Sequence, residues 1–288
     1  MRRNATLRDI LSGEACVPAA PVFDALSARI AEIVGFRVCK LSGSVAKAAN
    51  LGLPDEVALA DRSDLVGICS RITGVTDVAL MIDADDGGPG AVAVRRTVRA
   101  LESAGAAAIE IEDNVVPLRF GSGRHALIVD TATQVAKLRS AVAARRDPAT
   151  VIVARTTALA ELPLDEALQR VEAYGKTGVD AIMLPGFPPR GRSDIEAVAS
   201  ATDLPLCVLG LPRELVADDA FLRASRIRIR YLGQPPYRMA VRAIHDAMRH
   251  LFDGGDPAEL REREASSELL GEVTRVAELR KIERTFES

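Results

Sequence analysis

Short apolar segments alternate with amphipathic helical segments along most of this 288-residue chain. The pattern gives about eight β-then-α units, and parallel strands require such crossover connections. Their even spacing favours closure into a barrel over an open doubly wound sheet, and no GxGxxG motif follows the first strand. We therefore predict an α/β fold, a (β/α)₈ TIM-type barrel with extra C-terminal helices. The predicted strands are 17–23, 38–41, 78–85, 106–113, 150–156, 181–185, 204–209 and 227–232.

The composition changes near residue 255. We predict a catalytic barrel domain over residues 1–255 and a helical tail over 256–288, where charged residues alternate with apolar ones at mostly helical spacing. An apolar stripe on such a tail must be covered. Either its own barrel or a neighbouring subunit would serve, and both remain open at this point.

Several classes of protein are disfavoured by composition. The net charge of −3 argues against a nucleic-acid partner, and no uninterrupted apolar segment is long enough to span a membrane. The N-terminus lacks the apolar region of a secretory signal. Four cysteines without CxxC spacing indicate neither a zinc site nor a disulfide framework. We expect a cytoplasmic protein with reduced thiols.

Three carboxylates, Asp83, Asp85 and Asp86, crowd the end of the third predicted strand. Crowded carboxylates must repel one another or share a cation. Side chains alternate along a strand, which would place Asp83 and Asp85 on one face and Asp86 on the other. With no His or Cys nearby, the oxygens suit Mg²⁺ or Mn²⁺. The alternative is that these residues merely cap helices or end loops.

Other polar residues follow neighbouring strands, at the end of the barrel where barrel enzymes carry their chemistry. Arg155 could grip a substrate carboxylate or phosphate, or serve only a structural ion pair. The Ser42-Gly43-Ser44 segment could be a tight turn or could bind an anion through backbone N–H groups. The remaining candidates are Glu112 after the fourth strand and Gln234 after the eighth.

Lys40 and Glu110 are charged residues at positions predicted to face the barrel interior. They lie on even-numbered strands, which can contribute to one packing layer, so we predict a buried ion pair. The alternative is that Lys40 acts as a Schiff-base nucleophile. His125 follows the fourth strand and is either a catalytic residue or an ordinary loop residue.

Six motifs follow one another along the chain: Phe23-Asp24-Ala25-Leu26-Ser27-Ala28, Ser42-Gly43-Ser44, Gly52-Leu53-Pro54-Asp55, Asp83-Ala84-Asp85, Ile111-Glu112-Asp113 and Ala154-Arg155-Thr156. In their order and spacing they resemble the isocitrate lyase/phosphoenolpyruvate mutase superfamily. The resemblance implies Mg²⁺ or Mn²⁺, with Asp85 as the principal anchor, helped by Asp83, Glu112 and Asp55. It also implies homotetramers in which C-terminal helices are exchanged between subunits.

The same resemblance implies roles at the site. Ser42, Gly43 and Ser44 would hold the substrate carboxylate, and Arg155 and Gln234 would contact substrate oxygens. Arg155, Asp55 and Gln234 are the residues we expect to take part in catalysis. Asp86 and Gln234 stand where relatives carry His, and glutamine cannot change its charge near neutral pH.

The segment 114–125 narrows the expected reaction. It lacks the cysteine of the isocitrate-cleaving lyases, and its Pro117-x-x-Phe120-Gly121 pattern resembles the oxaloacetate decarboxylase branch. We therefore predict a metal-dependent lyase that acts on a small 2-keto acid through an enolate, decarboxylating oxaloacetate to pyruvate and CO₂. The alternatives are cleavage of a substituted malate, phosphonopyruvate-type chemistry, and a non-catalytic ligand-binding barrel.

Overall fold

The computed structural model describes residues 2–55, 61–116, 127–186 and 191–286. Within these ranges eight parallel strands close into a barrel in chain order, which confirms the predicted (β/α)₈ fold. The strands are β1 Val17–Val22, β2 Val38–Leu41, β3 Ala79–Asp83, β4 Ala108–Glu112, β5 Val151–Arg155, β6 Ala181–Leu184, β7 Leu206–Leu209 and β8 Ile227–Tyr231.

Helices separate the strands, as the alternating pattern predicted. Within the described ranges, none of them combines the length and apolar character needed to cross a membrane. The helices are α1 Arg2–Ser12, α2 Ala25–Val34, α3 Gly43–Leu51, α4 Arg62–Thr73, α5 Gly90–Ser103, α6 Thr131–Ala144, α7 Ala158–Glu161, α8 Leu164–Gly175, α9 Arg192–Ala201, α10 Arg213–Val216, α11 Asp219–Ala224, α12 Pro235–Phe252, α13 Ser267–Val273 and α14 Val276–Phe286, with a 3₁₀ segment at Pro257–Arg263.

The first helix after a strand begins where the sequence places a cap. The Asp24 carboxylate accepts a hydrogen bond from the Ser27 backbone N–H at 2.7 Å, and the Ser27 hydroxyl accepts one from the Asp24 N–H at 3.0 Å. This reciprocal arrangement is a capping box, which satisfies two otherwise unpaired amides. The predicted cap at Asp24 is confirmed.

The two ends of the barrel differ because α1 covers one of them. Its apolar residues Leu7, Ile10 and Leu11 are buried and form one cluster with inward-facing strand residues such as Val38 and Met81. The N-terminal ends of the strands are therefore plugged. The open mouth lies at the C-terminal ends of the strands, where the polar residues predicted to form a site are found.

The tail is helical, as predicted, and its helix α13 contacts α2 of its own barrel. Val273 of α13 is buried, and its carbonyl accepts a hydrogen bond from Arg29 Nε of α2 at 3.3 Å. Much of the apolar stripe remains exposed, notably Leu270 and Leu279, which are 53% and 55% exposed. The tail's own barrel therefore covers only part of this stripe.

Candidate active site

Asp85 is not positioned by strand alternation. Strand β3 ends at Asp83, and Asp85 has a left-handed backbone with φ +50°. The prediction that alternation pairs Asp83 with Asp85 on one strand face was therefore wrong in its reasoning. The two residues are nevertheless neighbours, because the Asp85 N–H donates to Asp83 Oδ1 at 3.2 Å. A left-handed aspartate is uncommon, and such conformations cluster at functional sites.

Asp83, Glu112 and Arg155 form a buried cluster from three consecutive strands. Glu112 lies directly opposite Arg155 in the register of β4 and β5. Arg155 Nη1 donates to Asp83 Oδ2, and Arg155 Nε lies 3.1 Å from Glu112 Oε2. That second contact is an ion pair without hydrogen-bond geometry, so Glu112 Oε2 and Arg155 Nε are buried without a hydrogen-bond partner among the described residues. The cluster therefore has one acceptor and one donor that could still form hydrogen bonds.

The Asp85 carboxylate lies beside the start of α3. A β-carbon on Gly43 would come within 2.9 Å of Asp85 Oδ1, so the close approach requires glycine at position 43. Lys47 Nζ, one turn further along α3, lies 3.0 Å from Asp85 Oδ2 and 3.1 Å from Asp55 Oδ1. Lys47 was not predicted to be a site residue. Asp55 is thus brought to Asp85 through a shared lysine.

The carboxylates of this cluster differ in acidity because burial and neighbouring charges act on them unequally. Burial and then the charge of Asp83 raise the pKa of Asp85 to about 6, against the opposing effect of Lys47. Burial, reinforced by Asp83 and Asp85, raises the pKa of Glu112 to about 8 despite Arg155. Burial opposes ionisation of Asp83 as well, but Arg155 and then Lys40 lower its pKa. The positive charges of Lys47 and Arg155 are therefore too small to keep the pKa values of Asp85 and Glu112 in their ordinary range, so these two carboxylates lack sufficient compensating positive charge.

A divalent cation would supply that charge. Among the described residues, no three His, Cys, Asp or Glu side chains lie close enough to hold a metal ion together. Mg²⁺ usually takes one or two protein carboxylates and fills its remaining positions with water and substrate oxygens. The unpaired oxygen of Glu112 and the raised pKa of Asp85 fit such a cation.

The Ser42-Gly43-Ser44 segment begins a helix. Gly43 and Ser44 belong to α3, and Ser42 precedes it with no side-chain cap. Strand β2 ends at Leu41, as predicted, so the two serines do not extend its face. The hydroxyls of Ser42 and Ser44 lie 3.1 Å apart. The first amides of a helix have no acceptor within it, so this end of α3 could bind an anion.

A cavity at the barrel mouth brings several predicted residues together. It is lined by Ser42, Asp83, Arg155 and Gln234, and Gln234 immediately precedes α12. Part of its wall is aromatic, where Phe23 meets Tyr237 edge to face with ring centroids 5.4 Å apart. Gly43 and Asp85 line a second cavity, together with residues of α3 and α4.

Two other acidic residues at the strand ends are bound elsewhere. Asp86 Oδ2 lies 3.0 Å from Lys137 Nζ of α6. Asp113 is fully buried and accepts hydrogen bonds from Thr156 Oγ1 and Tyr174 Oη at 2.6 and 3.0 Å. Both carboxylates have structural partners.

The predicted ion pair between Lys40 and Glu110 is confirmed. Lys40 Nζ donates to Glu110 Oε2 at 2.5 Å inside the barrel. A third residue, Tyr231 of β8, joins this pair, and its hydroxyl donates to Glu110 Oε1 at 2.5 Å. Tyr231 was not predicted from the sequence. Alternation along β8 could have identified Tyr231 as an inward residue on an even-numbered strand. His125 lies outside the described residues, as does most of the segment 114–125.

Comparison with known proteins gives the family. The family model described as phosphoenolpyruvate phosphomutase matches residues 7–252, most of the chain. The chain belongs to this family. Similar curated members include the oxaloacetate decarboxylase of Bradyrhizobium diazoefficiens, 41% identical over 96% of this chain and 94% of that protein. An oxaloacetate decarboxylase of Rhodopseudomonas palustris is 42% identical over 96% of this chain and 93% of that protein. The resemblance drawn from the motifs is confirmed.

Solved structures of the family superpose over nearly the whole chain. A phosphonopyruvate hydrolase in complex with oxalate and Mg²⁺ is 26% identical, with a TM-score of 0.82 and full coverage of both chains. An oxaloacetate acetylhydrolase in complex with 3,3-difluorooxalacetate is 25% identical, with a TM-score of 0.84, covering 100% of this chain and 98% of that one. Family members of this fold thus include proteins that act on different 2-keto acids.

Proposed function

We propose that this protein is a divalent-metal-dependent lyase that decarboxylates oxaloacetate to pyruvate and CO₂. The observation that carries the proposal is the cluster at the barrel mouth, where Asp85 and Glu112 lack sufficient positive charge beside a cavity lined by Arg155. The identity of about 41% with oxaloacetate decarboxylases over nearly the full chain favours this reaction over those of the more distant structural relatives.

The proposed roles follow from the position of each side chain. Asp85, with Asp83 and Glu112, would hold Mg²⁺ or Mn²⁺ directly or through water. When bound, such a cation supplies Lewis acidity to the keto and carboxylate oxygens of a 2-keto acid. Arg155, fixed by Asp83, presents a guanidinium at the cavity that would orient substrate oxygens.

The start of α3 and Gln234 complete the proposed site. Backbone amides at Gly43 and Ser44, with the Ser42 hydroxyl, would bind the carboxylate that is retained in pyruvate. Gln234, half-buried at the cavity, can donate a hydrogen bond to a substrate oxygen without changing charge. Asp55 would act through Lys47, which connects it to Asp85.

The direct test is a product assay with purified protein, Mg²⁺ and oxaloacetate. We expect pyruvate and CO₂ in equal amounts, faster than metal-catalysed background in a protein-free control. Phosphonopyruvate and a substituted malate should be tested in parallel. Release of phosphate or of a 2-keto acid from these, without oxaloacetate decarboxylation, would reassign the reaction within the family. Failure of Mg²⁺ and oxalate to bind together in calorimetry would favour the non-catalytic alternative.

We also propose that the protein assembles with copies of itself through its C-terminal helices. No residue of α12 is buried within the described chain, and Ile244, Met248 and Phe252, spaced four residues apart on one face, are 55%, 66% and 83% exposed. Such an apolar helix face is costly to leave in water and is typical of subunit interfaces. A tetramer is our expectation, measurable by light scattering. The four unpaired cysteines fit the proposed cytoplasmic location.

A further inference from the structure

Three side chains from alternate strands form a hydrogen-bonded group below the mouth cluster. Glu110 of β4 is fully buried, and each of its oxygens accepts a bond of 2.5 Å, one from Lys40 of β2 and one from Tyr231 of β8. The Lys40 Nζ also lies 5.4 Å from the centroid of the Tyr231 ring. The Lys40 side chain is therefore held from two sides.

Lys40 retains donors that this group does not use. A lysine ammonium carries three N–H donors, and Glu110 is the only acceptor that its Nζ meets within the described residues. Lys40 lines the mouth cavity together with Asp83 and Arg155. A buried ion pair contributes little net stability, since removing two charges from water offsets their attraction. A buried Lys40–Glu110 pair is therefore better explained by a function, in which the Lys40 ammonium interacts with a ligand in that cavity.

The proposed reaction needs a proton donor in this cavity. When the C3–C4 bond of oxaloacetate breaks, CO₂ leaves and the bonding electrons remain on the three-carbon fragment as an enolate. A C3–H bond must then form to give pyruvate. The Asp83 carboxylate is paired with Arg155, and neither a guanidinium nor an amide such as Gln234 releases a proton near neutral pH.

We propose that Lys40 is the acid that protonates C3, with Glu110 and Tyr231 positioning its ammonium group. The proton moves from Nζ to C3, the enolate electrons form the new C–H bond, and the amine recovers a proton from solvent. Lys40 precedes Ser42 by two residues, roughly 7 Å along the extended chain. Ser42 and Lys40 line the same cavity, so a molecule bound by its carboxylate beside Ser42 would be within reach of the lysine. This inference rests on the proposed function.

The test uses the reverse of the proton transfer, which is exchange of the pyruvate methyl hydrogens with D₂O in the presence of Mg²⁺, followed by NMR. Lys40→Met should slow exchange by at least about 10²-fold, the usual contribution of a general acid. Release of CO₂ from oxaloacetate should slow less, because bond cleavage precedes protonation. Lys40→Met removes the ion-pair partner of Glu110 and leaves a buried negative charge there. The double variant Lys40→Met/Glu110→Gln removes that charge as well, and its exchange rate should be measured in the same way.

The outcomes separate this inference from the proposed function. Decarboxylation by the wild type without pyruvate exchange would overturn the role of Lys40, as would unchanged exchange in the folded double variant. Loss of exchange in Tyr237→Phe but not in the lysine variants would assign the proton to Tyr237, which also lines the cavity. Absence of oxaloacetate decarboxylation by the wild type would instead contradict the proposed function.

Discussion

Asp180 at the plugged end of the barrel and two carboxylates at the open mouth, Asp85 and Glu112, are paired to different extents. At the plugged end, Asp180 accepts charge-assisted hydrogen bonds from Arg8 Nη1 at 2.7 Å and Arg145 Nη1 at 2.6 Å. It also accepts one from the Ile152 N–H at 2.7 Å. At the open mouth, Glu112 keeps an oxygen without a hydrogen-bond partner in the described chain, and Asp85 shares one lysine with Asp55.

This difference indicates what each carboxylate is for. A buried charge that is fully paired stabilises a fold, because its lost hydration is replaced by protein donors. A buried charge that is only partly paired destabilises the fold unless a ligand completes it. The paired Asp180 at the plugged end therefore holds α1 against the barrel. Asp85 and Glu112, at the open mouth, are expected to bind a cation.

The strongest test of the comparison neutralises one carboxylate at the mouth. We expect Asp85→Asn to reduce oxaloacetate decarboxylation on the order of 10³-fold, corresponding to roughly 4 kcal/mol of lost transition-state stabilisation. Its melting temperature without metal should match or exceed that of the wild type, because the removed charge lacked full compensation. Steady-state kinetics and thermal unfolding measure the two effects. A strongly destabilised Asp85→Asn would mean that Asp85 is structural.

The corresponding substitution at the plugged end, Asp180→Asn, should lower stability and leave activity unchanged. Asp180→Asn weakens the bonds from Arg8 and Arg145, and we expect the free energy of unfolding to fall by about 2–3 kcal/mol. Decarboxylation per folded molecule should remain near that of the wild type, since the site lies at the far end of the barrel. Urea denaturation followed by circular dichroism provides the measurement. Unchanged stability would show that the pairing at this end is dispensable.

The sequence predicted the parts of this molecule that depend on periodicity. Strand and helix alternation specified the barrel, and closure then placed Asp83, Glu112 and Arg155 at one end. The same rule for even-numbered strands correctly paired Lys40 with Glu110. These features depend on which face a side chain occupies, and strand alternation determines that.

The features that were missed depend on local backbone geometry and on contacts between distant elements. The Ser42-Gly43-Ser44 segment predicts a tight turn or an anion site and gives no sign of the helix Gly43–Leu51, so Lys47 was not predicted to lie beside Asp85. The left-handed turn at Asp85 is set by its environment, with its carbonyl accepting from the Glu112 N–H at 2.9 Å. No pattern in a single sequence specifies that approach.

The smallest expected effect is on how stability depends on pH at the mouth. Asp85 and Glu112 have pKa values raised to about 6 and about 8, so the folded protein holds protons there that the unfolded chain releases. Stability without metal should therefore fall as pH rises from about 4, the ordinary value for a carboxyl group, to about 8, lowering the melting temperature by a few degrees. Asp83, whose pKa is lowered, contributes the opposite slope, but only in strong acid. Glu112→Gln should flatten the dependence, and Mg²⁺ should flatten it in the wild type by stabilising the ionised carboxylates. Differential scanning fluorimetry with chelator or with Mg²⁺ measures both, and a melting temperature that rises with pH in chelator would contradict the proposed deficit of positive charge.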